Sequence, residues 1–255
     1  MNTIKNATNL PNFKVVIPAR YASQRFPGKP LYRILGKPLI QYTYENAARS
    51  GADEVIVASD DYRIIDCVRG FGGIACVTSV AHKTGSDRSA EVADIKQWDD
   101  NQIVVNLQSD EPLLSPQDIR TAVQCLVSHP SVDIATLATE VAAEELASDN
   151  VVSVVCDNEC FALYFSRAVL PVGAKMGLQH IGIYVYYCSY LKHFASLAQP
   201  HIEQSESLEQ LRVLWYGGTI KVEKVSSFAH VAVDTEADVV KLEKMLTSHS
   251  STSSE

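Results

Sequence analysis

Short apolar runs alternate with helix-like segments through the first part of the chain, and this alternation constrains the fold more than any other feature. Residues 13–17, 54–59 and 74–78 are mostly apolar, as is typical of strands that are covered on both faces of a sheet. Between them, residues 38–51 and 60–73 carry apolar side chains at helical spacing and end at glycine. The order βαβαβ predicts a parallel sheet with right-handed crossovers.

A loop rich in cations follows the first predicted strand, which Pro18 ends because proline has no N–H to donate to a sheet. The loop interleaves basic and small side chains: Arg20, Ser23, Arg25, Gly28 and Lys29. Ligands of open α/β sheets bind at the carboxyl ends of the strands, and arginine and lysine suit phosphate oxygens. The loop therefore indicates an anion site, although a solvated basic surface loop fits the charges equally well.

Two further polar segments follow predicted strands at the same edge of the sheet. Residues 82–88, HKTGSDR, are turn-like and lead into a helix that Ser86 or Asp87 is suited to cap. Residues 102–107 form a fourth strand that runs into the motif QSDEP, which contains Asp110. A carboxylate that faces a cationic phosphate loop is a suitable Mg²⁺ ligand. From these residues alone, however, a simple turn before Pro112 is the better explanation of Asp110 and Glu111.

The pattern changes in the second half of the chain. Residues 151–156 and 160–165 are apolar runs joined by Asp-Asn-Glu, which predicts a β-hairpin and hence a mixed sheet or a small subdomain. Residues 180–187 predict a further strand, because they are rich in aromatic and β-branched side chains. Residues 205–216 predict a helix whose first half carries carboxylates, as the helix dipole favours.

Composition restricts the class of protein. The chain is 46% hydrophobic and 20% charged, with a formal net charge of −8, which argues against a nucleic acid or an anionic membrane as partner. No apolar run approaches the roughly 18 residues of a membrane-spanning helix, and the N-terminus lacks an apolar signal region, so we expect a cytoplasmic protein. The six cysteines are scattered, which favours reduced, buried thiols. Neither GxxxxGK nor GxGxxG occurs, which excludes P-loop and dinucleotide-binding enzymes.

The motif IPARYASQRFPGKPL closely resembles the opening motif of the 3-deoxy-manno-octulosonate (Kdo) cytidylyltransferases. The resemblance extends in order through QSDEP, FALYFSR, HIGIY, LEQLRVLWYG and VDT, from about residue 13 to residue 246. It implies an α/β fold, namely a Rossmann-like nucleotidyltransferase three-layer sandwich with a mostly parallel mixed sheet and a small antiparallel part for sugar binding and dimerisation. We expect a flexible N-terminus over 1–12, a single domain over 13–247 with the sugar and dimer part at about 150–217, and a disordered tail over 248–255.

The resemblance also implies which residues act. The nucleotide-binding candidates are Arg20, Ser23, Lys29, Gly85, Arg88 and Gln108. The sugar-binding candidates are Gln108, Arg167, His180, Tyr184, Glu209 and Arg212. The residues implied as catalytic are Arg20, Lys29 and Asp110, and those implied as Mg²⁺ ligands are Asp110 and Asp234. Structural roles fit several of them as well: a strand end for Arg167, a core for His180, a core or an interface for Tyr184, and helix caps for Gly85's segment and Asp234.

The implied reaction transfers CMP from CTP to the anomeric hydroxyl of Kdo, with release of pyrophosphate, in a cytoplasmic homodimer that serves lipopolysaccharide synthesis. The sequence departs from the family pattern at Ser109, where glycine is usual, at Ser153, where lysine is usual, and in a shortened loop over 171–179. Two alternatives therefore stay open. One is a cytidylyltransferase for 8-amino-Kdo or a sialic acid, and the other is a non-catalytic nucleotide-binding protein.

Overall fold

The computed structural model describes residues 10–22, 26–148, 151–226, 233 and 236–251. Its strands are, in chain order, β1 (Phe13–Pro18), β2 (Arg33–Ile34), β3 (Lys37–Pro38), β4 (Glu54–Ser59), β5 (Ile74–Val77), β6 (Ile103–Leu107), β7 (Ile134–Ala142), β8 (Ser153–Cys156), β9 (Ala162–Ser166), β10 (Met176–Tyr187) and β11 (Ile220–Lys224). Its α-helices are α1 (Leu39–Ala48), α2 (Tyr62–Gly70), α3 (Gly85–Ile95), α4 (Pro116–Ser128), α5 (Ala143–Leu146), α6 (Cys188–Ser196), α7 (His201–Glu206), α8 (Leu211–Trp215) and α9 (Glu236–Ser251).

The main sheet is mixed and mostly parallel, as the sequence predicted. Its order is β11-β7-β10-β6-β1-β4-β5. The strands β1, β4, β5 and β6 are mutually parallel where they pair, and β11 is parallel to β7, whereas β10 is antiparallel to both β6 and β7. The carboxyl ends of β1, β4, β5 and β6 therefore meet at one edge, where the ligand of such a sheet is expected.

Helices cover both faces of this sheet, which confirms the three-layer arrangement. Val15 and Val16 are neighbours in β1 and point to opposite faces, yet neither is exposed. Val15 belongs to an apolar cluster that includes Ile40 of α1 and residues of α2 and α4. Val16 belongs to a second cluster that includes Leu191 of α6 and residues of α3 and α8. Burial on both faces explains why these strands are continuous apolar runs in the sequence.

The predicted hairpin forms from β8 and β9 and extends the sheet from β10. Asp157 closes its turn, because its side chain accepts the N–H groups of Glu159 and Phe161 at 2.9 and 2.8 Å. In β10 the register shifts between Ile181 and Tyr184. This bulge interrupts ordinary pairing at Gly182 and makes its backbone available to residues that follow β6.

The predicted helix over 205–216 is wrong. The chain instead forms α7 and α8, separated by Ser207, which adopts a left-handed conformation with φ of 55°. The predicted cap of α3 is also wrong, because Thr84 rather than Ser86 or Asp87 is the N-cap, in a reciprocal capping box with Asp87.

The chain ends add two observations. Helix α9 runs to Ser251, inside the stretch 248–255 for which the sequence predicts a tail. Residues 1–9 and 252–255 lie outside the described residues. None of the helices within the described ranges combines the length and the apolar character needed to cross a bilayer.

Candidate active site

A cavity of about 520 Å³ opens at the edge where β6 ends. Its walls come from the turn after β6, the start of α3, the bulge of β10 and the segment 199–210. Residues from both halves of the sequence therefore converge on it. Of the predicted site residues that the structure describes, six line the cavity: Gln108, Asp110, Arg167, His180, Tyr184 and Glu209. A larger cavity, of about 990 Å³, lies between α1, α4 and α9, and none of the predicted site residues within the described part of the chain lines it.

The cationic loop reaches this edge through Lys29. Gly28 adopts the left-handed conformation, with φ of 73°, and starts a single 3₁₀ turn, Lys29–Leu31. The turn brings Lys29 Nζ to 2.7 Å from Asp110 Oδ2, and the Lys29 side chain is only 9% exposed. Arg20 is exposed and donates from Nη2 to the carbonyl of His82 at 2.6 Å, so it lies against the loop that precedes α3. Ser23 lies outside the described residues.

Gly85 is the point where α3 touches the strand ends. A Cβ at this position would lie 2.7 Å from Gln108 Nε2 and 3.0 Å from Pro18 Cγ, so a side chain fits only if the Gln108 amide shifts. Gln108 donates from Nε2 to Asn106 Oδ1 at 3.3 Å, and its backbone N–H donates to the carbonyl of Gly182 in the β10 bulge at 3.0 Å. Gly85 therefore permits the close approach that sets Gln108 in the cavity wall.

The structure does not bring Arg88 to the cavity. Its side chain is 1% exposed and lies behind α3, where Nη1 donates to Thr78 Oγ1 at 2.5 Å and Nη2 pairs with Asp60 Oδ1 at 2.8 Å. Burial lowers the pKa of Arg88, and the nearby Asp60 carboxylate opposes this effect. Arg88 thus braces α3 against the ends of β4 and β5.

Glu209 lines the cavity and is fixed to the first turn of α3. Its carboxylate accepts the backbone N–H of Ser86 at 3.2 Å and the Ser86 hydroxyl at 2.9 Å. Asn106 Nδ2 approaches the same carboxylate at 3.5 Å. Burial raises the pKa of Glu209, while the hydrogen bonds from Ser86 act in the opposite direction. A carboxylate at this position is also favoured by the positive end of the α3 dipole.

Arg212 does not line the cavity but lies one layer behind it. The guanidinium is 1% exposed, forms two hydrogen bonds of 2.8 and 2.7 Å to the carboxylate of Glu203, and donates to Asp87 Oδ1 at 3.0 Å. Burial alone would lower the pKa of Arg212, but the hydrogen bonds to the Glu203 and Asp87 carboxylates outweigh it and raise the pKa. The role implied for Arg212 as a direct sugar ligand gains no support from this placement.

His180 and Tyr184 form one wall of the cavity. The Thr136 hydroxyl donates to the carbonyl of Ile183 at 2.6 Å, so at 2.9 Å from His180 Nε2 it acts as acceptor. His180 Nε2 therefore carries a proton and donates it to Thr136, and burial lowers the pKa of His180 to about 3, which favours the neutral ring. The Tyr184 hydroxyl donates to Gln210 Oε1 at 3.0 Å, and burial keeps the pKa of Tyr184 high. This wall therefore presents neutral polar groups.

Arg167 also lines the cavity and is partly buried. Its backbone N–H donates to Glu206 Oε2 at 3.1 Å, and its Nε donates to the Glu206 carbonyl at 3.2 Å. These contacts dock the end of β9 on the end of α7. They hold a guanidinium at the cavity without removing it from solvent.

Sequence reasoning missed Glu203 and Gln210, which also line the cavity. Gln210 is 2% exposed, and its Nε2 makes no hydrogen bond within the described part of the chain. Gln210 could have been found from the sequence, because it belongs to the motif LEQLR. Glu203 gave no such signal, because a glutamate near a helix start is ordinary on an exposed surface.

The three departures from the family pattern lie at different places in the fold. Ser109 does not adopt the left-handed conformation, so serine is not strained where glycine is usual. Ser153 is fully buried in β8 and is not part of the cavity wall. Within the shortened stretch 171–179, the residues from Met176 onward already belong to β10.

Of the two implied Mg²⁺ ligands, Asp110 lies at the cavity. No cluster of three or more His, Cys, Asp or Glu side chains suited to a metal occurs among residues 10–22, 26–148, 151–226, 233 and 236–251. Asp234 lies outside those ranges, but the preceding Val233 donates its N–H to the Asp110 carbonyl at 3.2 Å. A carboxylate beside a phosphate loop fits Mg²⁺, which commonly takes one or two carboxylates together with phosphate oxygens and water.

Comparison with known proteins defines the class. The family model described as cytidylyltransferase matches residues 14–225, which is most of the chain. The fold agrees with this match, since the sheet and the cavity at its carboxyl edge fall within the matched range. The chain belongs to the cytidylyltransferase family.

The relatives are more specific. A 3-deoxy-manno-octulosonate cytidylyltransferase of Nitrosococcus oceani is 43% identical over 250 residues, covering 92% of this chain and 96% of that protein. One of the same name from Thioalkalivibrio sulfidiphilus is 44% identical, covering 92% and 99%. A solved CMP:2-keto-3-deoxy-manno-octonic acid synthetase complexed with CTP is 40% identical, with a TM-score of 0.84 and coverage of 93% and 99%. These matches confirm the resemblance to the Kdo cytidylyltransferases that the motifs indicated.

Proposed function

We propose that this protein transfers CMP from CTP to the anomeric hydroxyl of Kdo and releases pyrophosphate. The observation that carries the proposal is the meeting of Lys29 and Asp110, at 2.7 Å, beside a cavity with a polar lining. A cation from the phosphate-type loop and a carboxylate from the strand end are the two charges that nucleotidyl transfer requires.

The reaction needs positioning and charge neutralisation more than covalent help from the protein. The oxygen of the anomeric hydroxyl attacks the α-phosphorus of CTP in line. The bond from that phosphorus to the bridging oxygen breaks, pyrophosphate leaves with the bond's electrons, and the hydroxyl proton passes to solvent. Arg20 and Lys29 would hold the outer phosphates and stabilise the charge that develops on pyrophosphate.

Mg²⁺ would be held by Asp110 and Asp234. When bound, it would supply positive charge at the α-phosphate and favour ionisation of the attacking hydroxyl. Asp110 is 28% exposed and is held by Lys29, so its carboxylate already points toward the phosphate-binding loop. We expect turnover to be lost in EDTA and restored by added Mg²⁺. Asp110→Ala and Asp234→Ala should each abolish turnover while the protein still folds.

The cavity suits an acidic polyhydroxy sugar. Arg167 offers a cation for the carboxylate of the sugar. His180, Tyr184, Glu209 and Gln108 offer neutral donors and acceptors, or a carboxylate, for its hydroxyl groups. The enzyme would act in the cytoplasm as a homodimer, and its product would serve lipopolysaccharide synthesis.

The experiment that tests the proposal is pyrophosphate release from CTP and Mg²⁺ with Kdo, 8-amino-Kdo or sialic acid as acceptor. Turnover that prefers Kdo supports the proposal. Turnover that prefers 8-amino-Kdo identifies the variant sugar that Ser153 and the short 171–179 stretch leave open. Binding of CTP without turnover of any of the three sugars would favour the non-catalytic alternative.

A further inference from the structure

A chain of charges runs along one wall of the cavity, from α3 through α8 to α7, and its Glu203 lines the cavity. Asp87 of α3 accepts from Arg212 Nη1 at 3.0 Å, and Glu203 of α7 accepts from Arg212 Nε and Nη2 at 2.8 and 2.7 Å. Arg212 and Glu203 are 1% and 3% exposed. Such bidentate, charge-assisted contacts are geometrically demanding, so they fix the three elements relative to one another.

The guanidinium of Arg212 is committed to this chain. All three of its nitrogens have protein acceptors, because Nη1 also approaches the Phe194 carbonyl at 3.3 Å. The guanidinium carbon lies 4.2 Å from the centre of the Phe194 ring, which covers one of its faces. Arg212 therefore cannot reach a substrate without breaking its ion pairs with Asp87 and with the buried Glu203, which is strongly unfavourable.

The residues of this chain and their neighbours also fix the position of Glu209. The backbone N–H of Arg212 donates to the Glu209 carbonyl at 3.1 Å. The Glu209 carboxylate is held by Ser86, which precedes Asp87, the partner of the Arg212 side chain. Two consecutive residues of α3 thus hold two residues of the LEQLR segment. The Ser86 side chain bonds to Glu209, and the Asp87 side chain bonds to Arg212.

The same turn of α3 also serves the other side of the cavity. Thr84, its cap, lines the cavity and is bonded to Asp87 in both directions at 3.1 Å. Gly85 packs against Gln108 at the end of β6. The first turn of α3 is therefore shared between the edge where we propose that CTP binds and the wall that carries Glu209.

We propose that Arg212, Asp87 and Glu203 form a positioning clamp that sets Glu209 for the sugar substrate. The inference rests on the proposed function, since it takes Glu209 as a sugar ligand. If this network served stability alone, weakening it would change only the fraction of folded enzyme. A clamp would in addition raise the KM for Kdo more than it raises the KM for CTP.

The test uses the full-length protein with Asp87→Asn, Arg212→Lys and the double variant. Asparagine keeps the shape and one oxygen of Asp87, and lysine keeps the charge of Arg212 but cannot reproduce its fork, so both variants are mild enough to fold. The matched control is Lys96→Ala, which removes the Lys96–Glu54 pair of 2.5 Å beyond the opposite end of α3. Steady-state kinetics with varied Kdo and varied CTP, thermal unfolding and amide hydrogen exchange are measured for each.

We expect each single variant to raise the KM for Kdo by about 10-fold or more, since a 1 Å misplacement at an active site can cost about 100-fold. The double variant should be little worse than either single variant, because all three weaken one connected network. Lys96→Ala should leave both KM values unchanged. Equal rises in both KM values, or unchanged KM values with only a lower unfolding temperature, would overturn the clamp and leave the proposed function standing.

Hydrogen exchange separates a failure of the clamp from a failure of the proposed function. The clamp requires that Asp87→Asn accelerates exchange both at residues 85–88 and at residues 208–212, although only the first segment carries the substitution. Acceleration confined to 85–88 overturns the clamp even if no sugar is turned over. Absence of turnover by the wild-type enzyme with all three sugars would instead refute the proposed function, and the exchange result would then decide the clamp.

Discussion

Replacing Gly85 with alanine should damage both stability and turnover, whereas the same change at Gly70 should not. The new Cβ at Gly85 would lie 2.7 Å from Gln108 Nε2 and 3.0 Å from the rigid ring of Pro18. Only the amide can move, and moving it gives up its 3.3 Å hydrogen bond to Asn106. Overpacking costs about 1–3 kcal/mol and the lost hydrogen bond about 1 kcal/mol, while alanine returns up to about 1 kcal/mol of helix propensity.

The net loss is therefore about 2 kcal/mol, which lowers the unfolding temperature by roughly 4–8 °C for a chain of this size. Because Gln108 lines the cavity, kcat/KM should fall at least about tenfold, which corresponds to about 1.4 kcal/mol. Gly70, the last residue of α2, has open space where a Cβ would lie, with no atom within 4 Å, and its φ is not left-handed. There alanine should stabilise by about 0.4–1 kcal/mol and leave kcat/KM unchanged.

Calorimetry and pyrophosphate release measure the two effects on the same samples. A Gly85→Ala enzyme with the wild-type unfolding temperature and kcat/KM would refute the reasoning, because it would show that the contact between α3 and Gln108 does not constrain the site. A loss of activity in Gly70→Ala equal to that in Gly85→Ala would refute it as well, since the effect would then be general to helix glycines.

Three further predictions concern the residues in and around the cavity. Lys29→Ala should lower kcat about 100-fold or more by removing charge stabilisation, whereas Lys37→Ala, which breaks a comparable 2.7 Å ion pair outside the cavity, should not; steady-state kinetics that rank them equally would contradict this. Burial lowers the pKa of His180 to about 3, below its unfolded value of about 6.5, so its contribution to stability is complete above pH 6.5 and is lost as the pH falls toward 3. Urea unfolding between pH 4 and 7 should therefore show a slope of up to about 1.4 kcal/mol per pH unit that His180→Asn removes, and an unchanged slope would contradict the assignment. Ser109→Gly should change kcat/KM by less than about twofold, since there is no left-handed strain to relieve, and a large gain would show that the serine narrows the site.

The sheet was predictable because its signals are local. Uniformly apolar runs report burial on both faces, and the strands β1, β4, β5 and β6 fall on the predicted runs or within one residue of them. The hairpin of β8 and β9 was equally clear, since two apolar runs flank a turn that Asp157 closes. The bulge in β10 was not predictable. It depends on Gln108 and Glu111, which contact Gly182 from a distant part of the chain.

The site was predictable in part, and the arginines show where the limit lies. Motif resemblance named residues that do line the cavity, among them Asp110, His180 and Glu209. It also named Arg88 and Arg212, which lie behind the wall in contact with carboxylates. An arginine suggests an anionic ligand in any sequence. Whether its partner is a ligand or a carboxylate of the protein is decided only by the fold.

The wrong prediction of one continuous helix over residues 205–216 has a geometric explanation. In one continuous helix, Glu203 and Arg212 would be nine residues apart, on opposite faces and about 13.5 Å apart along the axis. Their two hydrogen bonds of 2.8 and 2.7 Å therefore require the chain to turn between them, and it does so at Ser207, with φ of 55°. A serine carries little local preference for that conformation. The sequence pattern favours helix on both sides of the turn, and the buried ion pair is a tertiary contact that only the broken arrangement can make.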